Sequence, residues 1–86
     1  MPVKSNRRFR IESVNPLKDM PIGHEWYEAQ SVLLQNGTEE SFNVKGTYNG
    51  MGFSPLYTAE ASLRKKLAGD YTEFLYAVGE RIKESK

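Results

Sequence analysis

The only histidine of the chain, His24, is followed directly by Glu25. An imidazole beside a carboxylate is the least from which acid–base chemistry could be built. That chemistry needs a second positioned group, and no serine or lysine nucleophile stands at a suitable spacing. There is no cysteine, so disulfides, thiolate nucleophiles and thiolate metal sites are excluded. A single histidine excludes a multi-histidine metal site. Glu39-Glu40 could offer carboxylates to a cation, but they fall at the tip of an expected hairpin, where solvated acids are usual. No catalytic residue, metal ligand or cofactor is expected, and the chain reads as a non-enzyme.

Binding chemistry has more material. Arg7, Arg8 and Arg10 cluster near the start, with Arg8 and Arg10 expected on one strand face, and Arg64, Lys65 and Lys66 form a basic run on a helix. Positive clusters of this kind hold phosphates. Trp26 and Tyr48 could stack on bases beside them. The leading expectation is therefore a small nucleic-acid-binding module working through a basic, aromatic-bearing sheet face. Its site would be Arg7, Arg8, Arg10, Trp26, Tyr48, Arg64, Lys65 and Lys66. The alternative is a protein-binding adaptor or inhibitor that uses an exposed patch of Trp26, Val32 and Leu34, a patch that would equally serve a homodimer. The stretch 45–53 has a likeness to the basic-glycine-aromatic strand of RNA-recognition domains. Its spacing differs, and the strand–helix order of those domains is missing. The phosphate-loop pattern is absent too, so a glycine-rich turn is expected there.

Net charge is +1 over 86 residues, too small for a nucleic-acid coat, but it is unevenly spread. Residues 1–20 carry Lys4, Arg7, Arg8, Arg10 and Lys18 against Glu12 and Asp19; residues 21–45 carry Glu25, Glu28, Glu39 and Glu40 against Lys45. One basic and one acidic region follow. No run approaches the roughly 20 apolar residues of a membrane span, and the basic start lacks the apolar stretch of a signal peptide. A cytoplasmic protein without a membrane partner is expected.

The elements that must position these residues begin with the C-terminal third. Leu56, Ala59, Leu63, Leu67, Tyr71, Phe74, Leu75, Val78 and Ile82 recur at spacings of three and four, one apolar stripe on a helical surface. Gly69 suits a stop, and Asp70 with Glu73 suits a capping box for a second helix. Yet the stripe keeps its phase across Gly69, so two helices or one long bent helix both fit. Ser54 before Pro55 suits a helix start, with Thr58 as the competing cap.

The sheet comes first in the chain. Phe9 and Ile11 alternate with Arg8, Arg10 and Glu12 as in a half-buried strand over residues 7–14, ended by Asn15-Pro16. Residues 24–36 fit a helix with Ile22, Trp26, Ala29 and Leu33 on one side, or the first arm of a hairpin turning at Asn36-Gly37. Register favours the hairpin. Gln35 then meets Thr38, Ser31 meets Phe42, Ala29 meets Val44, and Glu28 meets Lys45 as an opposite-charge pair. Gly46 marks a bulge or a close approach.

The expected fold is thus α+β: a three-stranded antiparallel sheet covered by a C-terminal helical segment. Residues 1–6 read as a flexible leader and residues 7–86 as a single domain. The expected core sets Phe9, Ile11, Ala29, Leu33, Phe42 and Val44 against Leu56, Leu63, Leu67, Phe74, Leu75, Val78 and Ile82. Three strands followed by a helix opening with Thr58-Ala59-Glu60-Ala61 are similar in order to the sheet-plus-helix DNA-binding domains of integrase arms and of a class of plant transcription factors, and to short phage-borne inhibitor proteins. No family motif accompanies that order, and no family is assigned on it.

Overall fold

A computed structural model describes residues 8–85; the expected leader and Arg7 lie outside them. Four antiparallel strands lie in chain order, β1 (Phe9–Pro16), β2 (Glu25–Gln35), β3 (Thr38–Tyr48) and β4 (Phe53–Pro55). Helix α1 (Tyr57–Leu67) and helix α2 (Tyr71–Glu84) follow, joined by a 3-10 turn over Ala68–Asp70. The class is α+β, with one strand more than the sequence suggested.

The β2–β3 hairpin forms because Asn36 and Gly37 both adopt positive φ, 50° and 78°, as a two-residue primed turn demands. Its register runs from Gln35↔Thr38 through Ser31↔Phe42, Ala29↔Val44 and Glu28↔Lys45, as the side-chain pairing required. Strand β1 carries a bulge between Ile11 and Ser13. One extra residue reverses the in–out phase. Val14, which simple alternation places beside Arg10, is thereby brought opposite Ala29 and packs against the core. Arg81 of α2 reaches this bulge, donating from Nη1 to the Ile11 carbonyl (2.9 Å) and from Nη2 to the Glu12 carbonyl (3.0 Å).

Strand β4 corrects the expected helix start. Ser54 and Pro55 do not cap a helix; they pair with Thr47 and Gly46. Proline is tolerated there because β4 is an edge strand and needs no outward donor. Gly46 is the predicted close approach and not a bulge: a Cβ on it would overlap the Ser54 carbonyl oxygen and stand 2.8 Å from the Phe53 ring. The helix begins two residues later, at Tyr57, with Thr58 inside its first turn and no side-chain cap.

The helical stretch is broken at Ala68, whose φ of 49° ends α1; Gly69 is not the left-handed residue. Asp70 does not cap α2 with its side chain, because Arg8 takes its carboxylate. Both readings of this region keep a part. There are two α-helices, joined by the 3-10 turn, and the apolar stripe holds its phase across it. Leu63, Leu67, Tyr71, Phe74, Val78 and Ile82 are buried against Phe9, Ala29, Leu33, Val44, Tyr48 and Phe53. Phe74 is wholly buried, edge-on to Phe9 (centroids 5.2 Å) and tilted against Phe42 (5.7 Å). Leu56 is only half-buried. Gly79 lets α2 run against the Gly52–Phe53 backbone, where a Cβ would meet Gly52 Cα at 3.1 Å.

Candidate binding site at the loop end of the sheet

Both helices lie on one face of the sheet, and among the described residues nothing covers the other. It carries Arg10, Ser13 and Asn15 from β1, Trp26, Glu28, Gln30, Val32 and Leu34 from β2, and Glu39, Ser41, Asn43, Lys45 and Thr47 from β3, read from the cross-strand register. Ser13 donates to Gln30 Oε1 (3.3 Å) and accepts from Asn15 Nδ2 (3.3 Å), a short polar chain across two strands.

The cations expected to gather on this face are dispersed. Arg8 lies just before β1 and turns to the helix junction instead of sharing a face with Arg10. Its Nε donates to Asp70 (3.1 Å) and its Nη2 to the Leu67 carbonyl (2.7 Å). That carbonyl is one of the free acceptors at the end of α1, which is the reason a guanidinium settles there. Arg10 stays on the uncovered face but is held by Glu12 (2.6 Å) and approached by Glu39 (3.6 Å). The hydrogen bond and charge of Glu12, then those of Glu39, raise its pKa further. Arg64 pairs with Glu60 (3.0 Å) and stacks on the Tyr71 ring (4.4 Å). Lys66 pairs with Glu40 (2.9 Å) and lies over Phe42. Arg64, Lys65 and Lys66 belong to α1, on the helical side of the sheet. Tyr48 is 9% exposed and packs in the core, so its ring has no face to offer a base.

The apolar patch proposed around Trp26 is likewise divided. Val32 is only 6% exposed, and Glu28 and Gln30 stand between it and Trp26 along β2. Val32 is buried although no described element covers it; its register neighbours Arg10 and Ser41 flank it at about 5 Å spacing.

A different apolar pair emerges at the end of the sheet away from the hairpin turn. Ile22 in the β1–β2 loop is 100% exposed, and Met51 in the β3–β4 turn is 89% exposed. The last β2–β3 pair, Glu25↔Tyr48, brings the two connections side by side. Gly23, His24 and Glu25 of one and Tyr48, Asn49 and Gly50 of the other line an open cleft of about 730 Å³. Both connections are tied down. Trp26 Nε1 donates to the Pro21 carbonyl (3.0 Å), the Leu17 amide donates to the Trp26 carbonyl (2.9 Å), and His24 sits edge-on to the indole. On the other side Asn49 Oδ1 accepts from the amides of Met51 (2.9 Å) and Gly52 (3.1 Å), and Gly50 takes a φ of 88°. Trp26 is thus the brace of this loop. Neither Ile22 nor Met51 was legible as a binding residue: each sits singly among loop residues, and only the register shows that the loops are neighbours.

No protein-family model, curated protein or solved structure matches the chain. Its chemistry rests on its own geometry. Among the described residues no three of His, Cys, Asp or Glu are placed to hold a metal, and no helix is long and apolar enough to cross a membrane.

Proposed function

We propose that the chain is a non-enzymatic protein-binding module whose partner docks on the loop end, with exposed Ile22 and Met51 as its apolar contacts and the cleft lined by His24 and Glu25 beside them. One observation carries this reading: two large apolar side chains stand almost fully in water on turns that hydrogen bonds have already ordered. A surface that is ordered before binding loses less freedom on association. Burying the two side chains would contribute roughly 1.5–3 kcal/mol each.

The test places a photo-crosslinking residue at position 22 and, as a control, at position 83 on α2, in native lysate. The expected result is a discrete adduct from position 22 only, lost when Met51→Ser is added. Equal adducts from both positions, or an adduct indifferent to Met51, would overturn the reading.

Nucleic-acid binding through the uncovered face is the second reading, supported by its row of neutral hydrogen-bonding side chains, Ser13, Asn15, Gln30, Ser41, Asn43 and Thr47. The cations weigh against it. Arg10 and Lys45 share that face with Glu28 and Glu39, and affinity for phosphates depends on uncommitted positive charge. An affinity for DNA or RNA pools falling steeply between about 50 and 200 mM salt would restore this reading. Undetectable binding at the lower salt would end it.

A further inference from the structure

The two edges of the sheet are finished differently. On the β1 edge, Arg81 occupies the carbonyls of Ile11 and Glu12. On the β3 side, β4 covers only Gly46–Tyr48. The primed two-residue turn makes Gln35↔Thr38 a pair that exchanges both backbone bonds, so even-numbered residues of β3 bond to β2 and odd-numbered ones face away. The Lys45 carbonyl obeys this parity, accepting from the Leu56 amide on the outer side (2.9 Å). Glu39, Ser41 and Asn43 therefore direct their amides and carbonyls outward, all three residues are exposed, and among the described residues no strand pairs with them.

We propose that this edge accepts an extended peptide from a partner protein, as an added strand, with an acidic side chain on its helix-facing side. Three outward donors alternating with three acceptors at strand spacing match one chemistry, another extended backbone. The charge comes from α1. On the helix side of the hairpin, Leu33, Gln35, Glu40, Ser62, Lys65 and Lys66 line a hollow of about 310 Å³. Glu40 and Lys66 satisfy each other (2.9 Å), while Lys65 has no ion-pair partner among the described residues and leaves the hollow net positive. The length is bounded too: the turn at Asn36–Gly37 closes one end, and Leu56, opposite Lys45, closes the other. A second copy does not fit. The two-fold pairing that uses all three residues sets Ser41 against its own copy, and its register then carries the copy's Gly37 to Lys45, where Leu56 already sits. This site lies at the hairpin end, apart from Ile22 and Met51, and stands independently of the loop-end reading.

The experiment titrates isotopically labelled protein with two capped pentapeptides, Thr-Val-Glu-Val-Thr and Thr-Val-Lys-Val-Thr, following amide shifts and hydrogen exchange. The expected result is slowed exchange at Glu39, Ser41 and Asn43, with about two- to fivefold tighter binding of the glutamate peptide, the range of an exposed ion pair. Lys65→Glu should invert that preference. Ser41→Pro should abolish binding without breaking the β2–β3 ladder, because the lost amide is an outward one. Should that variant fail to fold, backbone N-methylation of the peptide tests the same bonds on the native protein. No response to either peptide at millimolar concentration, equal binding of both, or protection of these amides in a dimer of the unliganded protein would each overturn the proposal.

Discussion

On one face of the sheet Phe9, Ala29, Leu33 and Val44 lie beneath two helices and are almost out of reach of water. On the other, Arg10, Gln30, Asn43 and Lys45 belong to the same strands and are exposed, beneath no described element. The covered face is selected for shape. Its contacts are apolar, and Ser31, the one buried polar side chain among the described residues apart from the tyrosines, is 2% exposed with a hydroxyl that has no hydrogen-bond partner there. The uncovered face is polar, with Arg10 set against Glu12 and Glu39 and Lys45 opposite Glu28. What the contrast teaches is that stability and charge are separable here, so substitutions on the two faces should have effects of different size and kind.

The largest effect is expected from Phe74→Ala, which removes the ring between Phe9 and Phe42. It should cost about 3–5 kcal/mol, close to the whole folding free energy of a small domain, and leave the protein largely unfolded in urea titrations extrapolated to water. If it melts like the parent, Phe74 is not the centre of the covered face. Gly46→Ala comes next. The added methyl would strike the Ser54 carbonyl, and overpacking of this kind costs about 1–3 kcal/mol. The amide of Leu56, which bonds to Lys45, should lose protection from exchange first.

Ser31→Ala runs the other way. Removing a hydroxyl that is buried without a partner should stabilise the protein by about 1 kcal/mol, seen as a raised melting temperature. Destabilisation would mean that a bound water satisfies the serine. Tyr71 links the covered face to pH. Burial, and then the nearby Glu60, raise its phenol pKa against the lowering influence of Arg64. The folded state therefore keeps this proton after the unfolded chain has released it. Its contribution is fully present below about pH 10 and declines as pH rises through the folded-state value. Tyr71→Phe should flatten that alkaline decline in pH-dependent melting. The smallest effect belongs to the uncovered face: Arg10→Ala should change stability by no more than about 0.5 kcal/mol. Arg8→Ala should exceed it, because that guanidinium is tied to Asp70 and the end of α1.

Local rules recovered most of the fold. Asn36-Gly37 fixed the turn, and the turn fixed every pair from Gln35↔Thr38 to Glu28↔Lys45. Periodicity placed Phe74, Val78 and Ile82 in the core. What escaped was non-local or too short to carry a pattern. Three residues of β4 hold no periodicity, and Ser54-Pro55 has the composition of a helix start. The capping role expected of Asp70 lost to a residue 62 positions away, a competitor no local window contains. Arg8 and Arg10 look equivalent by alternation, but the strand begins only at Phe9, so only one of them is governed by it. The partner surface was the least legible part, since Ile22 and Met51 acquire meaning only when β2 and β3 bring their loops together.

The grip of Arg81 on the β1 bulge sets a limit on assembly. A unit with two free edges can extend a sheet without end, while a unit with one can only finish it. With the carbonyls of Ile11 and Glu12 already taken at the bulge, the middle of β1 is a poorer acceptor of a further strand than the outer edge of β3. Because a second copy does not fit on β3, the unliganded protein should stay monomeric even at high concentration. Arg81→Ala would free those two carbonyls and make the β1 side open to an added strand as well.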